Sequence, residues 1–582
     1  MTAAELVAAR IAEAGCKHAF GIPGGEVLSL MRALDAAGVA FTLVKHENAG
    51  GFMAEGTHHA AALSEVAPSE VAPSEEASSD EASSDEASSG SVAPARTPGV
   101  LLATIGPGLA NAVNAAANAK QEQTPLLILA GSVAPAEAAS YTHQVLDQAA
   151  LMREACKASI SLADGAVDIL IDRAVTLAME DPMGPVHVDL PVSLADTAQP
   201  PARRYRAPAP GPGRPDLAAL RAAQDRLAAA ERPVILAGMG AMQQDAGPAL
   251  IALAEHLGAP VLTTYKAKGV IPESHPLSLG GHGLSPKSDG IVLPLLAAAD
   301  CILSVGYDPI EMRAGWIDPF PPERHIALLH AQAHHGMHGA GLALIGALPM
   351  ALQALLDGFE TGAGPRERSR TPPKAAGAWP CGRAAEARAA LEAAFAPPPG
   401  WGPHQAFAAA QAASPAETIV TADSGAHRIL LSQQWKTPAP RHLLQSAAFC
   451  TMGVALPLAM GVKRAAPERP VLAVMGDAGL EMVLGELATL RDWRVGGFCI
   501  LVMVDESLSL IALKQERAGQ APLGVDFGGT NWPEVAAALG GVGAWADSAD
   551  DVKHALHDGF AQERRFSLIA ARVAKADYDG AF

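Results

Sequence analysis

The sequence predicts an α/β protein built from three doubly wound units, each a parallel sheet covered by helices. Three observations lead there. Short apolar runs ending in Gly, Asp or Ser alternate with Ala/Leu-rich helical patterns along the chain, as buried parallel strands alternate with their crossover helices. Two stretches break the alternation, DTAQPPARRYRAPAPGPGRP from Asp196 and GAGPRERSRTPPKAAGAWPCG from Gly362; their Pro and Arg content suits extended linkers. Finally, 582 residues correspond to about three or four domains at roughly 150 residues each. The units expected are residues 1–195, 215–360 and 380–582.

Taken in order, the N-terminal MTAAELVAARIAEAGCKHAF reads as an amphipathic helix with interleaved acids and bases. It lacks the basic start and apolar run of a signal peptide, so the chain is read as mature from residue 1. Strands of the first unit are expected at AFTLVKH (from Ala40), GVLLATIG (Gly99), PLLILAG (Pro125) and PVHVDLP (Pro185). Those of the second are PVILAGMG (Pro233), PVLTTY (Pro260) and DCILSVGY (Asp300). Those of the third are TIVTADSG (Thr418), PVLAVMGD (Pro470) and FCILVMVD (Phe498). The longest apolar stretch, LALIGALPMALQALL from Leu342, carries Pro349 and Gln353 and falls short of the ~20 residues a bilayer requires. No membrane association is expected.

Composition narrows the class. With 49% hydrophobic, 4% aromatic and 18% charged residues, the interior must be built from Ala, Val, Leu and Ile, and a disordered scaffold is excluded. A net charge of −19 argues against nucleic acid or an anionic membrane as partner, although a local pocket can still take a small anion. Six cysteines, at 16, 156, 301, 381, 450 and 499, form no CxxC or His-Cys cluster, so neither zinc nor a disulfide framework is expected and a reducing cytoplasm is the simplest compartment. The repeat SEVAPSEVAPSEEASSDEASSDEASSG from Ser64 holds eight acids and no base. It predicts a disordered, solvated insert at about 64–97, either a loop expansion without a role or an acidic docking segment.

The strongest chemical signal is PVLAVMGDAGLEMVLGELATL followed by FCILVMVDESLSLI. Asp477 and Asp505 each fall at the carboxyl end of an expected parallel strand, where open α/β sheets bind ligands. Small residues after Asp477 would let backbone N–H groups approach an anion such as a diphosphate. Two carboxylates beside a diphosphate call for a cation, and Mg²⁺ takes one or two carboxylates plus phosphate oxygens. Asp477 alone could equally cap the helix that follows.

This arrangement resembles the diphosphate-binding motif of thiamine diphosphate (ThDP) enzymes, with Ala478 in place of a second Gly and Val504-Asp505 where many members have Asn-Asn. The resemblance implies that Asp477, Asp505 and the Ser507 carbonyl hold Mg²⁺, with Gly476, Ala478 and Gly479 along the diphosphate. GIPGGEVLSLMRAL (Gly21), VKHENAGGFMAEG (Val44) and LLATIGPGLANAVNAAANAKQEQTPLLILAG (Leu101) look like the aminopyrimidine-binding domain of the acetolactate synthase and pyruvate oxidase group. That places Gly24, Gly25 and Gly106 at the cofactor and Glu47 on the family's cofactor-activating glutamate. A carboxylate in an apolar, Gly-rich setting can share a proton with the pyrimidine, whereas a surface acid after a strand could not. THQVLDQ (Thr142) resembles the loop whose glutamine, here Gln144, lines the substrate pocket; a solvent-facing amide is the plainer reading, and His143 beside it is read as structural. TADSGAHRI (Thr421) and AFCTMGVALPLAMGVK (Ala448) resemble cofactor-wrapping segments, placing Gly425 and His427 near the diphosphate. Met452 would lie beneath the bent cofactor, although a Met in an apolar run is more often core.

RPVILAGMGAM, YKAKGVIPESHPLSLGGHG and SVGYDPIEM are similar to the middle of acetolactate synthases. GYDPIE and GVDFG resemble the catabolic, FAD-free type, and Asp308-Pro309 stands where an arginine-bearing FAD segment is expected, so flavin is not anticipated. LSLIALKQ (Leu508) replaces the family's substrate-discriminating segment and Ile105 a common serine; both departures touch the substrate, not the cofactor. The resemblance thus implies a ThDP- and Mg²⁺-dependent enzyme acting on a small 2-oxo acid, with acetolactate formation from two pyruvates leading, and simple decarboxylation or C–C cleavage next. It further implies a homodimer or homotetramer with sites at subunit interfaces. A catalytically silent ThDP-fold binding subunit is the alternative of another class.

Overall fold

The N-terminal helix, Ala3–Glu13, is set by its cap. Thr2 accepts the Glu5 N–H while the Glu5 carboxylate accepts the Thr2 N–H, satisfying two of the amide donors that a helix start leaves open. Its Leu6, Val7 and Ile11 face inward. The helix ends earlier than the amphipathic pattern suggests, because His18–Gly21 turns into a strand. The computed structural model describes residues 1–63, 96–140, 142–200, 213–310, 312–331, 337–361, 379 and 382–582. The acidic repeat expected to be disordered lies outside the described residues, as do most residues of both linkers.

Three six-stranded parallel sheets follow one another. The first contains β1 (His18–Gly21), β2 (Ala40–Leu43), β3 (Gly99–Ala103), β4 (Leu126–Ser132), β5 (Ala158–Ser161) and β6 (Pro185–Pro191), in the order 2-1-3-4-6-5. The second contains β7 (Pro233–Ala237), β8 (Val261–Thr264), β9 (Ser278–His282), β10 (Cys301–Val305), β11 (His325–Leu329) and β12 (Leu342–Ile345), in the order 12-11-10-7-8-9. The third contains β13 (Ile419–Ala422), β14 (Leu443–Gln445), β15 (Val471–Gly476), β16 (Phe498–Val504), β17 (Val542–Ala546) and β18 (Ser567–Arg572), in the order 14-13-15-16-18-17. The first and third sheets therefore share one topology, whereas the second has the order of dinucleotide-binding folds. Strand order reverses between β1 and β3 and between β13 and β15, and the crevice outside the carboxyl ends there is the expected ligand position.

The central strands are buried on both faces, as their unbroken apolar runs require: every residue of β3, β6, β10 and β16 is buried. The first and third units share a core, in which Phe52 and Met53 pack with Leu458 and Val462. Two helices, Glu47–Leu63 and Ala455–Ala465, cross closely enough that a Cβ on Gly56 would meet the Leu458 carbonyl and one on Gly461 the Met53 carbonyl. LALIGALPMALQALL resolves into β12 and the helix Leu348–Thr361. Among the described residues no helix is long and apolar enough to cross a membrane, and Cys16, Cys156, Cys301 and Cys499 are free thiols.

Candidate functional site

At the switch point of the third sheet, three strand ends carry acids. β13 leads into Asp423, β15 into Asp477 and β16 into Asp505. They border an open cleft of about 650 Å³ whose lining includes Gly425, His427, Met452, Gly476, Asp477, Ala478, Gly479, Asp505 and Ser507. Nine residues expected from the sequence to serve a diphosphate and a metal are thus brought together.

Backbone donors fix the Asp477 carboxylate: Oδ1 accepts from the Ala478 N–H at 2.9 Å and Oδ2 from the Glu506 N–H at 2.8 Å. Asp505 accepts from the Ser509 hydroxyl at 2.6 Å and the Ser507 N–H at 3.1 Å. Burial, reinforced by the charge of Asp505, pushes Asp477 up to about 6, and burial also raises Asp505. Neither forms an ion pair with a base among the described residues. Tyr578, buried near both acids, has a hydroxyl without a hydrogen-bond partner among the described residues, and burial plus the two carboxylates raise its phenol. Two carboxylates that resist joint ionisation suit a divalent cation. Among the described residues no cluster of three or more His, Cys, Asp or Glu is placed to bind a metal, so such a cation would need ligand oxygens as well, the coordination habit of Mg²⁺.

Asp423 went unassigned in the sequence. It is fully buried, accepts the Gly453 N–H at 2.7 Å and lies 2.9 Å from Nε2 of His427, so it orients that ring and ties down the loop carrying Met452. A Cβ on Gly479 would collide with the Asp423 carboxylate, which explains a glycine there. The strand-end rule that singled out Asp477 applies equally to TADSG and would have found it.

The second cluster of predicted residues lies on the first sheet. Glu47 is buried at the start of its helix, with Oε2 accepting from Asn111 Nδ2 at 3.0 Å; Asn114 similarly holds Asn48 at 3.1 Å. A Cβ on Gly108 would come within 3.2 Å of Glu47 Oε1. Gly106 has φ +65° and a Cβ there would press on the Gln144 carbonyl. Gly24 precedes a short 3₁₀ turn, and Gly25 faces open space that a ligand could enter. Gln144 is exposed; the glutamine that holds this loop is Gln148, whose Oε1 accepts the Gly106 N–H at 3.0 Å. None of Glu47, Gln144, Gly24, Gly25 or Gly106 lines the Asp477 cleft, so within the chain the two groups stay separate.

A separate cleft of about 1040 Å³ lies between the first and second units, lined by Lys120, Lys157, Gly240, Gly306, Asp308 and His330 among others. Asp308 accepts from Gln123 Nε2 at 3.1 Å and is raised by burial.

The chain matches the thiamine pyrophosphate enzyme N-terminal TPP binding domain over residues 1–68 and 78–151, the central domain over 220–355 and the C-terminal TPP binding domain over 423–571. It is similar to a Pseudomonas aeruginosa protein described as "Probable 2-ketoarginine decarboxylase AruI", with 29% identity across 99% of this chain and 95% of that one. It is also similar to an acetolactate synthase of Bacillus subtilis, at 26% over 96% and 91%, and to a catabolic acetolactate synthase of Raoultella terrigena, at 25% over 95% and 92%.

Proposed function

Because the chain belongs to the thiamine pyrophosphate enzyme family, we propose that it decarboxylates a small 2-oxo acid with ThDP and Mg²⁺. The observation that carries this reading is the pair of acids at adjacent strand ends beside glycines, Asp477 buried and Asp505 half-buried, with no basic side chain paired to either among the described residues. Asp477, Asp505 and the Ser507 carbonyl would hold the metal; Gly425, His427, Gly476, Ala478 and Gly479 would border the diphosphate, and Met452 the thiazolium. When bound, ThDP supplies an electron sink for the pair released as CO₂ leaves. Glu47, its carboxylate aimed by Asn111, would hold or give up the proton at the aminopyrimidine nitrogen. Gln144, exposed on its loop, would meet substrate.

Read as two half-sites, these separate groups call for a second copy of the chain. Close in sequence to them, Leu28, Val145, Leu146, Phe449, Met482 and Ile511 are exposed, apolar side chains that a second copy could cover. A homodimer, or a pair of dimers, would cover them and join Glu47 of one chain to Asp477 of the other. Flavin has no part in the proposal, since Asp308 sets a carboxylate at the strand end where a dinucleotide's phosphates would approach. The free thiols of Cys16, Cys156, Cys301 and Cys499 suit a reducing cytoplasm.

Acetolactate formation from two pyruvates is the leading product assignment, supported by the relatives named for it. Release of the decarboxylated product without ligation is the second reading, favoured by the apolar wall of Leu508, Leu510 and Ile511 and by the relative named a decarboxylase. The test is a panel of 2-oxo acids with product identification by mass spectrometry. Acetolactate from pyruvate supports the first reading and an aldehyde the second; no CO₂ from any 2-oxo acid contradicts both.

A further inference from the structure

The turn before Glu47 is held by a contact from the third unit. Lys45 and His46, between β2 and the Glu47–Leu63 helix, donate their main-chain N–H groups to Oε1 of Glu486 at 2.8 and 3.2 Å. Glu486 opens the helix Glu486–Trp493 and is buried. Its Oε2 accepts the Thr489 hydroxyl at 2.8 Å. Gly485 eases the approach, since a Cβ there would lie 3.3 Å from that of Lys45. The Lys45 ammonium is turned away, 3.7 Å from Asp492. Burial raises the Glu486 carboxyl, partly offset by these hydrogen bonds. A buried carboxyl is costly unless its hydrogen bonds are made, and here two of them converge on the turn that delivers Glu47.

We infer that Glu486 is a positioning residue for Glu47: it fixes the Lys45–His46 turn while Asn111 holds the carboxylate itself. The inference rests on the reading of Glu47 as the acid that serves ThDP. It also adds a connection. Glu486 follows Asp477 by nine residues on the unit bearing the metal carboxylates, yet it steadies the glutamate of the other half-site. If sites are completed between chains, Glu486 ties the diphosphate loop of one site to the acid of the next.

The experiment compares full-length wild type with Glu486→Ala, Glu486→Gln, Thr489→Val and Glu47→Gln, each saturated with ThDP and Mg²⁺. Two quantities are read: ThDP affinity by calorimetry, and hydrogen–deuterium exchange at the thiazolium C2 by quenched NMR. Glu486→Ala is expected to keep affinity within about threefold while exchange slows by about 10- to 100-fold, the scale of a misplaced catalytic group. Glu486→Gln, which retains an acceptor oxygen, should recover part of that loss, and Thr489→Val should show a smaller one. Wild-type exchange in folded Glu486→Ala, or in both milder variants if the alanine form does not fold, overturns the inference. So does a parallel loss of affinity and exchange in Thr489→Val, the mark of a general structural role. Wild-type exchange in Glu47→Gln would instead remove the underlying reading of Glu47.

Discussion

Asp477 sits where burial and a second carboxylate work against its ionisation, a cost that the proposed Mg²⁺ would relieve. Asp477→Ala is therefore expected to weaken Mg²⁺-dependent ThDP binding more than about 100-fold, beyond the range typical for losing an outer-shell partner; calorimetry with and without Mg²⁺ measures it, and an unchanged affinity would remove the metal assignment. Asp477 and Asp505 could be read from the sequence because each ends an apolar run, and topology alone then sends it to the ligand edge. Asp423 obeys the same rule. Asn111 and Glu486 do not: an amide in an Ala-rich helix and an acid on an amphipathic one look like solvated surface until the fold brings a partner from elsewhere in the chain. Gln148 and Gln144 show a similar limit, since their spacing cannot say which amide turns inward.

At the scale of elements, the crossing of Glu47–Leu63 with Ala455–Ala465 joins the two cofactor-binding units within a chain, and it depends on bare backbone at Gly56 and Gly461. Gly461→Ala would drive a methyl group against the Met53 carbonyl and should cost about 1–3 kcal/mol, as overpacked cores do. Denaturant unfolding should show a lower midpoint with an unchanged slope; an unchanged midpoint would mean that the helices part without penalty. Ten expected strands are present, from β2 to β16. β1, β5, β9, β14 and β17 escaped because three to five residues, many half-polar, carry too little pattern, and β12 because its apolar run continues into a helix. β11 and β18 are buried, yet HIALL and SLIAAR lack the glycine or acid ending that marked the other strands.

Across the whole molecule, the number of units and their parallel class follow from the linkers and the alternating pattern, but the shared strand order of the first and third sheets does not, since order depends on which strands pair at a distance. That shared topology gives each chain two ligand edges, and the proposed assembly uses one from each of two chains. Mixing Glu47→Gln with Asp477→Ala protein should then restore activity, because a hybrid dimer holds one site with both lesions and one with neither. No recovery in verified hybrids would mean that each chain builds its own site.

The central claim, catalysis by ThDP held between Glu47 and the Asp477–Asp505 pair, is tested most directly by CO₂ release from 2-oxo acids after both cofactors are stripped and returned. Release should require ThDP and Mg²⁺ together, and in Glu47→Gln it should fall by about 10²–10⁴, the scale of a lost acid–base group, while ThDP still binds. Release that persists without ThDP, or that is undiminished in Glu47→Gln, would contradict the account.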